Sequence, residues 1–374
     1  MAPMDPEKQD YIVVDRDRLV ALLEDINTEE NLELLKARIL EVKRSLLAPR
    51  EDIHGLFVLP NGKGVRIRRS TVVTELDQAL AAFTLERSRY YVRRLIKGLT
   101  EVRKGRFNDI NLRRWKEYDD IITDSLWIID RRDTSGAHLA WYWGNFVPQI
   151  PHQLLLRYTR QGEWVLDPFA GSGTTLIECR RLGRNGLGVE LNAGVVDKAR
   201  ELVAKEPNPY RVVTDLEAGD SRVFDFKALL ARHGIQSVQL LLMHPPYHDI
   251  IKFSSAANDL CNAPTTEAFL AMFGQVLDNT LSLLDPDRFL AVVIGDKYTG
   301  GEWVPLGFYC MQEVLQRGLL LKSIVVKNFN DTTAKRGQQD LWRYRALTGG
   351  FFVFKHEYIL LFQCRRPRRH ARTG

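Results

Sequence analysis

Three carboxylates and a pair of prolines stand where apolar runs of this chain stop. Asp167 closes Trp164-Val-Leu-Asp167 and leads into Pro-Phe-Ala-Gly-Ser-Gly-Thr-Thr175. Trp164 to Leu166 reads as the end of a buried strand, so Asp167 is expected at the carboxyl edge of a sheet, where open α/β folds bind ligands. Gly171 and Gly173 let the backbone turn sharply and approach a ligand without a Cβ in the way. Thr174 and Thr175 open a helix whose free N–H groups lie beside whatever fills the turn. Roughly 20 residues further on, the usual distance to a ribose-binding acid, Gly186-Leu-Gly-Val-Glu190 ends in a second carboxylate. A third, Asp220 of Ala218-Gly-Asp220, suits contact with an adenine ring. Together they describe a nucleoside pocket. Gly-Lys-Ser/Thr does not follow the glycines, which disfavours a triphosphate loop. Asp167 would repel a pyrophosphate and suit an ammonium or sulfonium group.

The other constellation is His244-Pro-Pro-Tyr247, which ends the apolar run Ser237 to Met243. Consecutive prolines fix φ and withhold N–H donors, so this turn presents carbonyl oxygens in a rigid array. The two motifs in this order resemble the amino-methyltransferases of DNA, over roughly residues 141 to 363. The resemblance implies methyl transfer from S-adenosylmethionine to N6 of adenine or N4 of cytosine, on a base flipped out of double-stranded DNA. It implies that Asp167, Pro168, Phe169, Gly171, Gly173 and Thr174 line the methionine end of the cofactor. Glu190 then holds the ribose and Asp220 the adenine amine, and Asn145 and Pro148 belong to a segment lying over the methionine. His244, Pro245, Pro246 and Tyr247 would be catalytic. The Pro245 carbonyl and the side chain of residue 244 would accept the two amine hydrogens, acceptors that match the transition state better than the planar ground state, and Tyr247 would stack on the base.

His244 departs from the family, where Asp or Asn is usual in adenine enzymes and Ser frequent in cytosine enzymes. A neutral imidazole accepts through one nitrogen and an imidazolium through none, so activity is expected to fall as pH drops through ~6.5. Adenine and cytosine targets both stay open. The resemblance implies a restriction-modification or defence-associated methylase. The alternatives are an RNA base-amine methyltransferase and a catalytically inactive DNA-binding subunit that keeps the fold.

Positioning these motifs calls for a doubly wound, Rossmann-like α/β methyltransferase sheet with an antiparallel terminal hairpin, preceded by a smaller helical N-terminal domain. The expected divisions are 1–50, a helical hairpin or partner-binding segment; 51–135, basic and mainly helical; 136–364, the methyltransferase domain; and 365–374, a basic tail. Asn27 with Glu30 suggests a capping box, and Leu32, Leu35, Ile39, Val42 and Leu46 form an apolar face, packed on the chain's own body or on a second subunit in a homodimer or with a partner. Between Arg66 and Trp115 basic residues outnumber acidic ones thirteen to five, which suits either phosphate contact or a solvated helix face, with one long helix over Leu76 to Leu99. Strands are expected at Tyr210 to Val213 and in a final hairpin of Phe351 to Phe354 with Tyr358 to Phe362. The turn Leu59-Pro-Asn-Gly-Lys-Gly64 precedes the basic stretch. The polar segment Ser254 to Pro264 reads as a mobile loop near the target pocket. Asn328 to Gly350 reads as a long loop carrying Lys335, Arg336, Gln338, Gln339, Trp342, Arg343, Tyr344 and Arg345, and loops of this length are usually functional.

Composition sets the outer bounds. The 374 residues are 45% hydrophobic and 27% charged, with a net charge of +6, which permits a polyanionic partner without requiring one. Cys179, Cys261, Cys310 and Cys364 are scattered, so no zinc site or disulfide framework is indicated and a reducing, cytoplasmic setting fits, bacterial or archaeal and close to the nucleoid. No apolar run reaches the ~20 residues of a membrane span, and the polar start Met1 to Asp10 is unlike a signal peptide.

Overall fold

Apolar residues spaced three and four apart from Leu32 to Leu46 form the helix the pattern demands, and Leu35, Ile39, Val42 and Leu46 are buried along it. In the computed structural model, which describes residues 10–59, 64–328 and 339–365, the chain divides into two units. One runs to Gly105 and adds Ile110–Asp120; the other is Arg106–Asp109 with Ile121 onward. The start before Asp10, residues 60–63 of the turn-rich stretch, Lys335, Arg336 and Gln338, and the tail after Arg365 lie outside the described residues.

In the first unit, β1 (Tyr11–Val14) pairs antiparallel with β2 (Val65–Arg68). Four helices accompany them: α1 (Arg16–Thr28), α2 (Leu32–Leu47), α3 (Arg69–Leu80) and α4 (Leu85–Thr100). The capping box expected at Asn27 does not form, because Asn27 lies in the last turn of α1. Asn31 caps α2 instead, its side chain accepting from the N–H groups of Glu33 and Leu34. The single helix expected over Leu76 to Leu99 is two, since Thr84 turns extended and accepts from Arg87 N–H. Leu19, Leu23, Leu35, Ile39 and Leu46 are fully buried in one core with Ile67, Leu76 and Val92. Residues before and after position 50 thus share one unit rather than two, and the apolar face offered to a second subunit is covered from within. Much of the positive charge is also spent here: Arg68 pairs with Asp10 and Asp119, Arg94 and Lys116 with Glu75, Arg113 with Glu101 and Arg114 with Glu117.

The second unit is organised by an eight-stranded sheet. Its strands are β3 (Leu126–Trp127), β4 (Trp164–Asp167), β5 (Asn185–Glu190), β6 (Thr214–Ala218), β7 (Val238–Met243), β8 (Leu284–Ile294), β11 (Leu320–Asn328) and β12 (His356–Gln363); β9 (Lys297–Thr299) and β10 (Glu302–Val304) form a separate small ribbon. The order across the sheet is β3-β11-β12-β8-β7-β4-β5-β6. β4 to β8 run parallel, and β12 is antiparallel to both β8 and β11. Alternate residues feed different cores, as a strand's period of two requires: Leu166, Leu241 and Phe362 enter one with Phe269 and Phe273, whereas Val165, Leu240 and Leu361 enter the other with Trp127 and Leu154. The helices are α5 (Gln149–Tyr158), α6 (Thr174–Leu182), α7 (Ala193–Lys205), α8 (Phe226–Arg232), α9 (Thr266–Thr280), α10 (Leu306–Gln316) and α11 (Gln339–Gly349).

The doubly wound sheet and its antiparallel hairpin match the expectation, with local differences. Tyr210 to Val213 is not a strand, because pairing with β5 begins at Thr214. Phe351 to Phe354 is not one either; β12 takes β11 as its hairpin partner. The hairpin is not the sheet edge, since β3 adds parallel to β11. The stretch read as a loop from Asn328 to Gly350 contains α11. Among the described residues no helix is long and apolar enough to cross a membrane.

Candidate active site

Sheet order decides which loops meet. β4 and β7 are direct neighbours, with Val165 opposite Leu240 and Leu166 opposite Leu241, and the order reverses between them, the position at which α/β sheets open a crevice. The turn after β4 and the turn after β7 therefore emerge side by side. They share one cavity of about 1110 Å³. Of the residues expected to act, Pro168, Phe169, Gly171, Thr174, Glu190, Asp220, Asn145, His244, Pro245, Pro246 and Tyr247 all line it.

Asp167, Gly173 and Pro148 are not among the lining residues. The Asp167 carboxylate is fully buried and turns back on its own loop, accepting from Phe169 N–H at 3.0 Å and Thr175 Oγ1 at 2.6 Å. Burial pushes its pKa up to about 7, with Glu190 adding repulsion and the two hydrogen bonds opposing. Both of its oxygens are thus engaged in holding the turn. Gly173 has φ +79°, and a Cβ there would lie 2.9 Å from Val203 Cγ2, so it serves contact with α7. Pro148 precedes α5 and its carbonyl accepts from His152 N–H.

Glu190 accepts from Gly171 N–H at 3.1 Å and Asn192 N–H at 2.9 Å, which fixes it against the glycine turn. Burial raises its pKa despite these bonds. Each carboxylate oxygen keeps a lone pair for a further donor such as a ribose hydroxyl. Asp220 is engaged more heavily: Arg222 binds it through Nε at 3.0 Å and Nη2 at 2.6 Å, and Asn258 Nδ2 reaches it at 3.1 Å. An adenine amine would have to share that carboxylate. Asn258 belongs to the segment expected to be a free loop by the target, yet Asp259 ties the segment down by accepting from Ser254 Oγ and Cys261 N–H.

The opposite wall carries donors that composition did not single out. Thr174 Oγ1 donates to Asn145 Oδ1 at 2.8 Å, leaving Asn145 Nδ2 buried without a partner among the described residues. Arg132, another lining residue, donates from Nη1 to the carbonyls of Asn145 and Phe146 while its Nε and Nη2 have none. Burial lowers the pKa of this guanidinium. Orphaned donors of this kind are costly unless something accepts from them, and a carboxylate answers the need. Nucleoside acceptors at Glu190 and carboxylate donors at Arg132 and Asn145 thus fit both ends of S-adenosylmethionine. The wall itself is clamped by Glu178, which binds His138 Nε2 at 2.6 Å and His152 Nδ1 at 2.7 Å. Asp133, His138 and Glu178 bring ligand atoms within 4.8 Å of one another, but Arg181 Nη1 already lies 3.1 Å from Asp133 and 3.3 Å from Glu178 and supplies the positive charge.

At the far end, the ring of His244 meets Phe146 edge-on at 4.8 Å and its Nε2 lies 3.2 Å from the Tyr247 hydroxyl. Burial pushes the His244 pKa down to about 4; Glu357 opposes this and Lys327 adds to it. The expected titration near ~6.5, the value of a solvated imidazole, therefore does not apply. Tyr247 is pressed against Gly295, where a Cβ would stand 2.7 Å from the ring. Trp342 of α11 lines the same end, together with Phe351 and Phe354.

Residues 81–201 match the family model described as DNA methylase. That match takes in the first two carboxylate-ended strands and the glycine-rich turn between them, about a third of the chain. Among curated relatives it is 41% identical over 51 residues to type II methyltransferase M.MjaII of Methanocaldococcus jannaschii, which covers 14% of this chain and 10% of that one. To M.Cfr9I of Citrobacter freundii it is 34% identical over 89 residues, 24% of this chain and 28% of that one. The matched stretches thus span less than a third of either relative. Among solved structures, TrmN of Thermus thermophilus superposes with a TM-score of 0.37 at 18% identity, over 59% of this chain and 49% of the other.

The glycine turn places a packing demand on Gly173 that does not involve a ligand. Gly173→Ala is expected to cost about 1–3 kcal/mol in the ligand-free protein, from the left-handed backbone and the crowding at Val203. Chemical denaturation measures it; an unchanged midpoint would return Gly173 to the role of a cofactor contact.

Proposed function

We propose that this protein transfers a methyl group from S-adenosylmethionine to the exocyclic amine of a base flipped out of double-stranded DNA, N6 of adenine or N4 of cytosine. The observation that carries this reading is the single cavity lined by the glycine-rich turn, Glu190 and the His-Pro-Pro-Tyr turn. S-adenosylmethionine held there supplies a methyl group on a positively charged sulfur. Glu190 accepts the ribose hydroxyls, and Arg132 and Asn145 donate to the methionine carboxylate. The Pro245 carbonyl and His244 accept the two hydrogens of the amine, which draws its lone pair out of conjugation and toward the methyl carbon. The nitrogen–methyl bond would form as the sulfur–methyl bond breaks, leaving S-adenosylhomocysteine as the neutral product, and the methylated amine would lose one proton to water. Tyr247, fixed by its hydroxyl and by Gly295, offers a ring face to the base.

Recognition of DNA falls in this reading to α11 and its neighbours. Trp342 lines the cavity while Tyr344 of the same helix is 66% exposed and Arg345 lies over the Trp342 ring at 5.2 Å. These are residue types suited to phosphates and base faces. The biological role that follows is modification of DNA in a restriction-modification or defence setting, in the compartment that holds the DNA.

Transfer of tritiated methyl groups to duplex DNA and to RNA of the same sequence tests the substrate: label in DNA is expected, and label confined to RNA overturns the choice. Arg132→Met is expected to weaken S-adenosylmethionine by about tenfold or more, the loss of one charged hydrogen-bonding group. Binding of methylthioadenosine, which lacks the amino acid, should be unchanged; calorimetry separates the two. Because His244 is held neutral by burial, its titration should lower kcat/KM only toward pH 4, and any change between about pH 8 and about 5.5 should persist in His244→Asn. A midpoint near ~6.5 would mean a solvated His244.

A further inference from the structure

The two ring nitrogens of His244 face different surroundings. Nε2 lies 3.2 Å from the Tyr247 hydroxyl, and that hydroxyl donates to Glu357 Oε2 at 2.6 Å. Glu357 Oε1 meets Lys327 Nζ at 3.1 Å, with both side chains 5% exposed. With one oxygen on the ammonium, the other takes the phenol's proton as an acceptor. A tyrosine hydroxyl carries one proton. With that proton committed to Glu357, the oxygen can only accept, and the atom it accepts from is Nε2. In a neutral imidazole the proton then sits on Nε2 and the lone pair on Nδ1. Nδ1 has no hydrogen-bond partner among the described residues, and His244 lines the cavity. Nδ1 is bonded to Cγ, as the side-chain oxygen of Asn or Asp is. An acceptor on Cγ is thus available at position 244 although the residue is His.

We propose that Glu357, held by Lys327 and acting through Tyr247, fixes His244 in the tautomer whose Nδ1 accepts a hydrogen from the target amine. The proposal rests on the amine-methylation reading. Glu357 is a positioning residue: the ion pair sets a direction for the whole chain of hydrogen bonds, from Nε2–H to the phenol to the carboxylate. In Glu357→Gln, Lys327 would retain the amide oxygen and turn the NH2 group toward Tyr247. The phenol would then accept from Gln, donate to Nε2 and drive the ring proton to Nδ1, and the acceptor would be lost.

The test uses the full chain labelled with 15N-histidine, the His244 signals being assigned by their absence in His244→Asn. Wild type is expected to show a protonated Nε2 and a bare Nδ1 at neutral pH. Glu357→Gln should move the population toward Nδ1–H, and Tyr247→Phe, which removes the link but keeps the ring, should leave a mixture. Alongside this, kcat should fall by about a hundredfold in Glu357→Gln, the scale of one lost preorganised contact, with KM for S-adenosylmethionine unchanged. If Glu357→Gln does not fold, Tyr247→Phe carries the spectroscopic test alone. A wild-type ring protonated at Nδ1, or variants that keep the wild-type tautomer, overturn the proposal; so does a tautomer shift that leaves kcat intact. A wild type that labels no base, with the tautomer shift present, overturns the reading of function and not the control of the tautomer by Glu357.

Discussion

Parallel pairing of β4 with β7 sets the distance between everything that matters in this molecule. Both strands are buried on both faces, and their residues alternate between two cores. A slip of one residue would send each apolar side chain to the other face. Register is therefore held by the packing of both layers at once. What the register fixes is the juxtaposition of two turns, one rich in glycine and one in proline, at the point where the order of strands reverses. The chemistry of the cavity follows from that adjacency.

Around the cavity the carboxylates divide by environment rather than by type. Asp167 lies behind the lining, bonded to its own loop and with a pKa raised to about 7 by burial. Glu190 fixes the glycine turn through Gly171 N–H and keeps lone pairs for a ligand. Asp220 is the most heavily engaged, held by Arg222 and Asn258, and its pKa stays low although burial opposes. Glu178 lies outside the cavity but governs its wall, because His138, from the segment between Arg132 and Asn145, and His152 of α5 both bond to it, with Arg181 one turn along its own helix. A buried carboxylate is stable only when each of its oxygens has such partners. In each case those partners also fix a neighbouring segment.

His244 replaces a small acceptor with an imidazole, which is ambiguous about which nitrogen donates. Two properties of its surroundings remove the ambiguity. Burial against Phe146 keeps the ring neutral, and the line of contacts through Tyr247 to Glu357 and Lys327 gives the ring a preferred tautomer. The same contacts hold the Tyr247 ring in place, so a single ion pair at the ends of β11 and β12 serves both parts of the turn.

From residue order alone came the class of sheet, both motifs and eleven residues of the cavity's lining, because apolar runs ending in Gly, Pro or Asp carry local rules about strand ends and turns. The helices were legible as apolar periodicity, but their ends were not: Asn31 and Thr84 compete with neighbouring polar residues, and the choice of cap depends on what each helix packs against. Three residues expected at the ligand, Asp167, Gly173 and Pro148, lie outside the cavity lining, the first two packed within the turn and the third at the start of α5. Which side of a wall a side chain serves is fixed by packing, and Val203 and Thr175 had to be in place to show it. Folding alone brought Arg132, Lys327 and Glu357 to the site, from positions up to 225 residues apart in a chain where each looks like an ordinary charged residue. The pKa of His244 belongs to the same class of property. Desolvation and the charges facing a group come from distant segments, so they exist only once the sheet has closed around it.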